Sequence, residues 1–89
     1  MKKFLTREDE LLTILMEECG EVTQACSKVI RFGSEQNYEN LQKEIGDLMC
    51  MLELMSEDGL IDWPTVTVSS VEKRNKLKKF SNLLTSEDD

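Results

Sequence analysis

Hydrophobic residues in the first two thirds of the chain recur at helical spacing. At about 100° per residue, one apolar stripe runs along residues 6–32 and a second along residues 37–57. The first stripe contains Leu11, Ile14, Leu15, Val22, Ala25 and Val29, and the second contains Leu41, Leu48, Met51 and Met55. The pattern predicts two amphipathic helices, each with one face turned towards a core.

Capping residues predict where these two helices begin and end. We expect the first to begin at Thr6 and to end just before Gly33, which supplies a left-handed stop. We expect the second to run from an N-cap at Asn37 to about Glu57, where Asp58-Gly59 ends it. The connections between the predicted helices are short.

A third helix is predicted to begin near the only proline. Asp62 is the expected N-cap and Pro64 lies in the first turn, where a missing N–H does no harm. We expect this helix to continue to about Leu83, although the β-branched run at 66–68 lowers the helix propensity of its first turns. The predicted fold is therefore an all-α bundle of about three helices in a single domain, residues 1–89, with a frayed acidic tail at 85–89.

Each of the two apolar stripes carries a glutamate at its centre. Glu18 lies in the middle of the first stripe, with Glu21 at its edge, and Glu44 and Asp47 repeat this arrangement in the second. Antiparallel packing would bring all four carboxylates together. Closely spaced carboxylates inside a protein are costly unless they are protonated or bind a cation. Four of them in opposed pairs suit a hard divalent cation.

Composition limits the chemistry that the protein can perform. The 89 residues include three cysteines and no histidine, and the net charge is −7. The lack of histidine excludes Ser-His and Cys-His nucleophile pairs and leaves oxygen ligands for magnesium, manganese or calcium. A di-iron bundle would need Glu-x-x-His, and the loop at 56–62 lacks the alternating acids of a calcium-binding hand. The negative charge disfavours binding to nucleic acid polymers.

The chain is also short for a self-sufficient fold. A domain of this length buries only about 60–65% of its unfolded surface, so oligomerisation is expected to complete the core. Both predicted helices have a second apolar strip: Leu12, Cys19, Cys26 and Ile30 on the first, and Ile45, Met49 and Leu52 on the second. These strips predict self-association; packing against the third helix is the alternative. No apolar run predicts a membrane span or signal peptide, so we expect a cytoplasmic protein with reduced thiols.

The acidic residues also form a recognisable compound motif. Glu17-Glu18-Cys19-Gly20-Glu21, then twenty-two residues, then Glu44-Ile45-Gly46-Asp47 resembles the EExxE…ExxD signature of the MazG-like, all-α nucleoside triphosphate pyrophosphohydrolases. The resemblance is good over residues 8–56 and loose over the third helix. It implies a house-cleaning enzyme that converts a (deoxy)nucleoside triphosphate and water to the monophosphate and pyrophosphate, and that works as a dimer or tetramer.

The resemblance also implies roles for individual residues. By motif match, Glu18, Glu21, Glu44 and Asp47 would bind Mg²⁺, with Mn²⁺ as a substitute. Glu17 would support these ligands or position the attacking water, so Glu17 and Glu18 are the expected catalytic acids.

Cationic and polar side chains near the motif are candidates for binding the nucleotide. Lys28 lies on the same side of the first helix as Glu17 and Glu21, and Lys73 and Lys76 are about one turn apart on the third. The expected substrate-binding residues are Lys28, Lys73, Lys76, Gln24 and Asn75. The alternative for the lysines of the third helix is that they are solvated residues near its C-terminus, where their positive charge interacts favourably with the helix dipole.

Two other functions remain open from the sequence. One is a phosphoribosyl-ATP or dUTP pyrophosphohydrolase of the same superfamily. The other is a helical interaction module without catalytic activity, in which replacing Glu18 or Glu44 by glutamine would be neutral or stabilising because it relieves repulsion.

Overall fold

Three helices account for most of the part of the chain that can be described. The computed structural model describes residues 6–84, in which α1 spans Arg7–Phe32, α2 spans Glu35–Glu57 and α3 spans Trp63–Phe80. No strand occurs within residues 6–84, so the predicted all-α fold is confirmed. None of these helices combines the length and the apolar content that crossing a bilayer requires. The predicted frayed tail, 85–89, lies outside the described residues.

The ends of α1 are those predicted. Thr6 is the N-cap, and its Oγ1 accepts a hydrogen bond from the backbone N–H of Asp9 at 3.0 Å. Gly33 adopts φ 60°, a left-handed conformation, and donates its N–H to the carbonyl of Val29 at 2.8 Å. Because the chain reverses at Gly33, the next helix can begin almost at once.

The predicted start of α2 is wrong by three residues. Ser34, not Asn37, is the N-cap: its Oγ accepts from the N–H of Asn37 at 3.4 Å and from the Asn37 side chain at 2.9 Å. Serine directly after the left-handed glycine satisfies the free N–H groups as well as asparagine would, so the helix gains a turn. The other end is as predicted, with Glu57 as the last residue and Asp58 as C-cap.

The start of α3 is confirmed and its end is earlier than predicted. Asp62 is the N-cap and accepts from the N–H of Thr65 at 2.9 Å. The helix ends at Phe80, because Ser81 adopts an extended backbone and its Oγ accepts from the N–H groups of Leu83 and Leu84. A serine hydroxyl that bonds nearby N–H groups competes with the helical pattern, which explains why the helix does not reach Leu83.

Helices α1 and α2 form an antiparallel hairpin with a small core. Leu11, near the start of α1, packs with Met51 and Met55, near the end of α2. The partly buried residues around this cluster are Ile14, Leu15, Leu54, Leu60 and Ile61. The guanidinium of Arg7 closes the same end of the hairpin by donating two hydrogen bonds to the carboxylate of Asp58.

Helix α3 differs from the hairpin because none of its residues is buried. Only the segment that leads into it, Leu60 and Ile61, packs on the core. The Cα radius of gyration is 16.2 Å, whereas a compact domain of this length has about 12 Å. A single chain therefore leaves much more surface open than its size requires.

Candidate metal centre

Three carboxylates from the two helices of the hairpin converge. Glu18 of α1 and Glu44 and Asp47 of α2 each offer an oxygen, and these oxygens all lie within 4.8 Å of one another. Glu44 and Asp47 are three residues apart, so they are neighbours on one helix face. The antiparallel packing places Glu18 opposite them, as the apolar stripes predict.

The electrostatics of Glu18 reflect this crowding. Glu18 and Glu44 are partly buried, whereas Asp47 is exposed. The pKa of Glu18 is raised above its usual value, first by loss of hydration and then by the negative charges of Asp47 and Glu44, with smaller effects from Glu21 and Glu17. Protonation or a nearby positive charge would relieve this repulsion.

The other two acids of the sequence motif lie around the cluster. Glu17 and Glu21 are exposed and fall outside the group of three whose oxygens meet within 4.8 Å. Both nevertheless contribute to the raised pKa of Glu18. Glu21 is rotated by about 60° from Glu18 around α1, and Asp47 by about 60° from Glu44 around α2. Because the helices are antiparallel, these equal rotations lead to the same side of the hairpin, which we call the carboxylate side.

The donor atoms fit a hard divalent cation. Mg²⁺ binds oxygen at about 2.0–2.1 Å, so two ligands of one ion lie at most about 4.2 Å apart, and Ca²⁺ allows about 5 Å. The three oxygens lie within 4.8 Å of one another, so adjustment of the side-chain rotamers would bring them into the coordination shell of one Mg²⁺, in which adjacent ligand oxygens are about 3 Å apart. Since Asp47 is exposed, water or phosphate can approach this side of the cluster.

The polar residues predicted to bind the nucleotide are spread along two helices. Gln24 and Lys28 are exposed on the carboxylate side of α1, about 9 Å and 15 Å along the helix axis from Glu18. Lys73, Asn75 and Lys76 are exposed on α3. Because α3 buries none of its own residues, the hairpin does not fix these three side chains at the cluster.

One cation that sequence reasoning did not single out lies beside the cluster. Lys43 directly precedes Glu44, is exposed, and lies four residues before Asp47. Side chains four residues apart on a helix are neighbours, so the Lys43 ammonium group is within reach of the cluster. The signal was present in the sequence as this four-residue spacing, on the same helix edge as Asp47.

Comparison with known proteins agrees with this geometry at the level of a family. No curated protein and no solved structure matches the chain. The model of the MazG nucleotide pyrophosphohydrolase domain matches residues 6–79, which include all three helices except the last residue of α3. A match over most of the chain, together with carboxylates converging from both halves of the acidic motif, shows that this protein belongs to the MazG nucleotide pyrophosphohydrolase domain family.

Proposed function

We propose that this protein is a magnesium-dependent pyrophosphohydrolase that converts a (deoxy)nucleoside triphosphate and water to the monophosphate and pyrophosphate. The observation that carries the proposal is the convergence of Glu18, Glu44 and Asp47 within 4.8 Å. These residues come from the two separate halves of the acidic motif, in a chain whose family is one of nucleotide pyrophosphohydrolases. A set of carboxylates with no histidine in the chain suits an oxygen-seeking cation and phosphate chemistry.

The residues that would hold Mg²⁺ are Glu18, Glu44 and Asp47, with Glu21 joining them by a change of side-chain rotamer. Bound there, the ion would neutralise phosphate oxygens and lower the pKa of a coordinated water. Mn²⁺, which prefers similar ligands, would be expected to substitute. The pKa of Glu18 is raised first by loss of hydration and then by the neighbouring carboxylates, and a cation bound among them would favour the ionised side chains.

Glu17, one of the acids beside the cluster, would activate the attacking water. Glu17 is exposed, lies next to Glu18 and faces the carboxylate side, so its carboxylate can accept a hydrogen bond from the attacking water. As the water oxygen bonds to phosphorus, the bridging P–O bond of the α–β anhydride breaks, and its electron pair leaves with pyrophosphate. The proton of the water passes to the carboxylate and then to solvent.

Cationic side chains on the carboxylate side would position the phosphates. Lys28 and Lys43 flank the cluster along α1 and α2, and both are exposed. Lys73 and Lys76 would reach the phosphates from α3, and Gln24 and Asn75 would hydrogen-bond the base or sugar. A phosphoribosyl-ATP or dUTP substrate would use the same cluster and differ only in these outer contacts.

The proposal is tested by measuring pyrophosphate release from each common (d)NTP, from dUTP and from phosphoribosyl-ATP, with Mg²⁺ and with excess chelator. We expect Mg²⁺-dependent release that falls by at least about 100-fold in Glu18→Gln and in Glu44→Gln, because removing even an outer supporting group of a metal site costs 10–100-fold. Glu53→Gln is the matched control, since Glu53 is an exposed acid of α2 that points away from the cluster.

A second measurement separates an enzyme from a binding module. Mg²⁺ that binds only the folded state raises the melting temperature, so it should stabilise the wild type and Glu53→Gln but not Glu44→Gln. Wild-type turnover in both cluster variants would overturn the proposal. Absence of hydrolysis and of Mg²⁺ stabilisation in the wild type would instead favour the interaction module.

A further inference from the structure

Lys43 is the only base close to the motif acids along either helix of the hairpin. The segments 13–25 of α1 and 40–51 of α2 extend four residues to each side of these acids, which is the range in which side chains of one helix are neighbours. The charged residues of both segments are the five acids themselves and Lys43. The next lysine along α1, Lys28, is seven residues from Glu21. Within the hairpin, a positive charge beside the acids therefore comes from Lys43.

Lys43 lies on the carboxylate side, level with the cluster. It is rotated by about 100° from Glu44, in the same sense as Asp47, and the two neighbours Lys43 and Glu44 differ by about 1.5 Å along the axis. Lys28 lies on the same side but about 15 Å from Glu18 along the axis of α1, which is further than a lysine side chain extends. Lys43 can thus contact a phosphate that is bound to an ion in the cluster, whereas Lys28 is limited to an outer phosphate.

The acids beside Lys43 do not hold its ammonium group. Asp47 follows Lys43 by four residues, but a base that precedes an acid is the less favourable order for an ion pair on a helix. Helical side chains lean towards the N-terminus of their own helix, so Lys43 leans away from Asp47 and towards the turn at Gly33. Within residues 6–84 Lys43 forms no ion pair. The pKa of Glu18 is raised by loss of hydration and then by carboxylates, with no lysine among the causes.

The charge at the site explains what a second cation would add. The five motif acids and a triphosphate are all negative, and the net charge of the chain is −7. One Mg²⁺ contributes two positive charges, so much of the repulsion between protein and substrate remains after the metal binds. A lysine ammonium is a compact charge on a flexible stem. It can therefore move from solvent onto a phosphate when the substrate arrives.

We propose that Lys43 is a catalytic residue, which contacts the phosphates of the α–β anhydride that is cleaved while the cluster holds Mg²⁺. The inference rests on the proposed function and assigns different roles to two lysines. As the bridging P–O bond breaks, negative charge grows on the oxygens around it. A positive charge at that point stabilises the transition state more than the bound substrate, so Lys43 raises kcat. Lys28 meets an outer phosphate, and its contact strengthens substrate binding and transition-state binding equally.

The first test compares the steady-state kinetics of two variants, with saturating Mg²⁺ and the nucleotide that the wild type hydrolyses fastest. Lys43→Gln should lower kcat by about 100-fold or more, as loss of one donor to a developing charge does. Lys28→Gln should raise KM by about tenfold and leave kcat unchanged, as loss of uniform binding does. Lys43→Arg keeps the charge and should retain more activity than Lys43→Gln. Lys79→Gln, at an exposed lysine in the last turn of α3, is the matched control.

A second measurement does not depend on turnover. Inorganic pyrophosphate added with Mg²⁺ should raise the melting temperature above that with Mg²⁺ alone in the wild type and in Lys79→Gln. This additional gain should be lost in Lys43→Gln. Mg²⁺ alone should stabilise Lys43→Gln at least as much as the wild type, because removing a nearby positive charge does not weaken the binding of a cation. That result also shows that the variant is folded with its cluster intact.

Wild-type kcat in Lys43→Gln would overturn the proposal, as would an equal gain from pyrophosphate in the variant and the wild type, or no gain in either. Loss of Mg²⁺ stabilisation in Lys43→Gln would also overturn it, because Lys43 would then support the acids instead of contacting the substrate. A wild type that releases no pyrophosphate from any nucleotide contradicts the proposed function. The measurement with inorganic pyrophosphate then decides on the role of Lys43.

Discussion

The hairpin of α1 and α2 and the single helix α3 obey the same local rules but differ in what they bury. All three helices begin at a side-chain N-cap: Thr6, Ser34 and Asp62. All the buried residues of the described chain nevertheless belong to the hairpin. Helix α3 lacks a continuous apolar stripe in its middle turns: Val66, Val68 and Val71 are spread over more than half of the helix circumference, and between Val66 and Leu77 the same face carries Ser70 and Lys73. Capping is enough to form a helix, whereas packing it requires apolar residues at helical spacing.

The largest expected effect is on the stability of the hairpin. Leu11→Ala removes a side chain that is only 6% exposed and should lower the free energy of unfolding by about 2–5 kcal/mol. Val71→Ala, at 53% exposure on α3, should change it by less than about 0.5 kcal/mol. Urea titrations of both variants measure the difference. Comparable losses would mean that α3 is packed in solution and that the contrast between the two regions does not hold.

The lysines of α3 provide a second test of the difference between the packed hairpin and the exposed helix α3. If α3 serves mainly to deliver cations to the phosphates, the double variant Lys73→Ala/Lys76→Ala should raise KM for the nucleotide by about tenfold, equivalent to about 1.4 kcal/mol. Its stability should stay close to that of the wild type, because both side chains are exposed. Lys79→Ala, in the last turn of the same helix, is the control. An unchanged KM would leave these lysines as solvated residues at a helix terminus.

The N-cap residues allow a finer test of this difference, because each should stabilise only the region that contains its helix. Ser34→Ala removes the N-cap of α2 and should cost about 1 kcal/mol. Hydrogen exchange should show reduced protection of the backbone amides in both α1 and α2, since these two helices unfold together. Asp62→Ala removes the N-cap of α3 and should reduce protection in α3 alone. A loss of protection in α1 after Asp62→Ala would contradict the separation of the two regions.

The smallest expected effects depend on pH and have opposite signs at the open end of the hairpin and at the carboxylate cluster in its middle. A hydrogen bond from Arg7 lowers the pKa of Asp58 below its usual 3.8. The stabilisation is therefore present above pH 3.8 and is lost as the pH falls through the lowered pKa. Asp58→Asn should reduce the melting temperature at pH 7, and the gap to the wild type should close at low pH.

The effect of Glu18 on stability has the opposite pH dependence to that of Asp58. Its pKa is raised above the usual 4.5, so the ionised side chain destabilises the metal-free fold at neutral pH, and the penalty is relieved as the pH falls. Glu18→Gln should therefore raise the melting temperature at pH 7 without Mg²⁺, and the gain should disappear below about pH 4.5. A thermal scan at pH 4 and pH 7 distinguishes the two variants; the same sign for both at pH 7 would contradict the assignment.

Most of the hairpin could be predicted from the sequence because its determinants are local. Residue spacing placed Leu11, Met51 and Met55 on facing stripes, and Gly33 marked the reversal between the helices. Ser34 was missed as the N-cap of α2 because the sequence also offers Asn37, and only the sharp turn at Gly33 decides between them. The early end of α3 was missed because Ser81 acts through its hydroxyl, which is not part of a periodic pattern.

The candidate site was predictable in part. Helical spacing brings Glu18, Glu44 and Asp47 together, since their positions depend only on two regular helices and an antiparallel turn. Whether the Glu21 carboxylate reaches the cluster depends on its side-chain rotamer. Whether Lys73 and Lys76 reach it depends on where the loosely packed helix α3 lies relative to the hairpin. Neither position is encoded by spacing along one element. The metal-binding and substrate-binding roles of all these residues remain predictions.

The connection between α1 and α2 is only two residues long, Gly33 and Ser34, and this has a consequence for how the molecule forms. Closing so short a loop loses little chain entropy, and contacts between nearby segments form quickly. The paired helices are complete by Glu57, so during synthesis they can fold while the rest of the chain is still within the ribosome. The three acids would then already face one another before α3 exists.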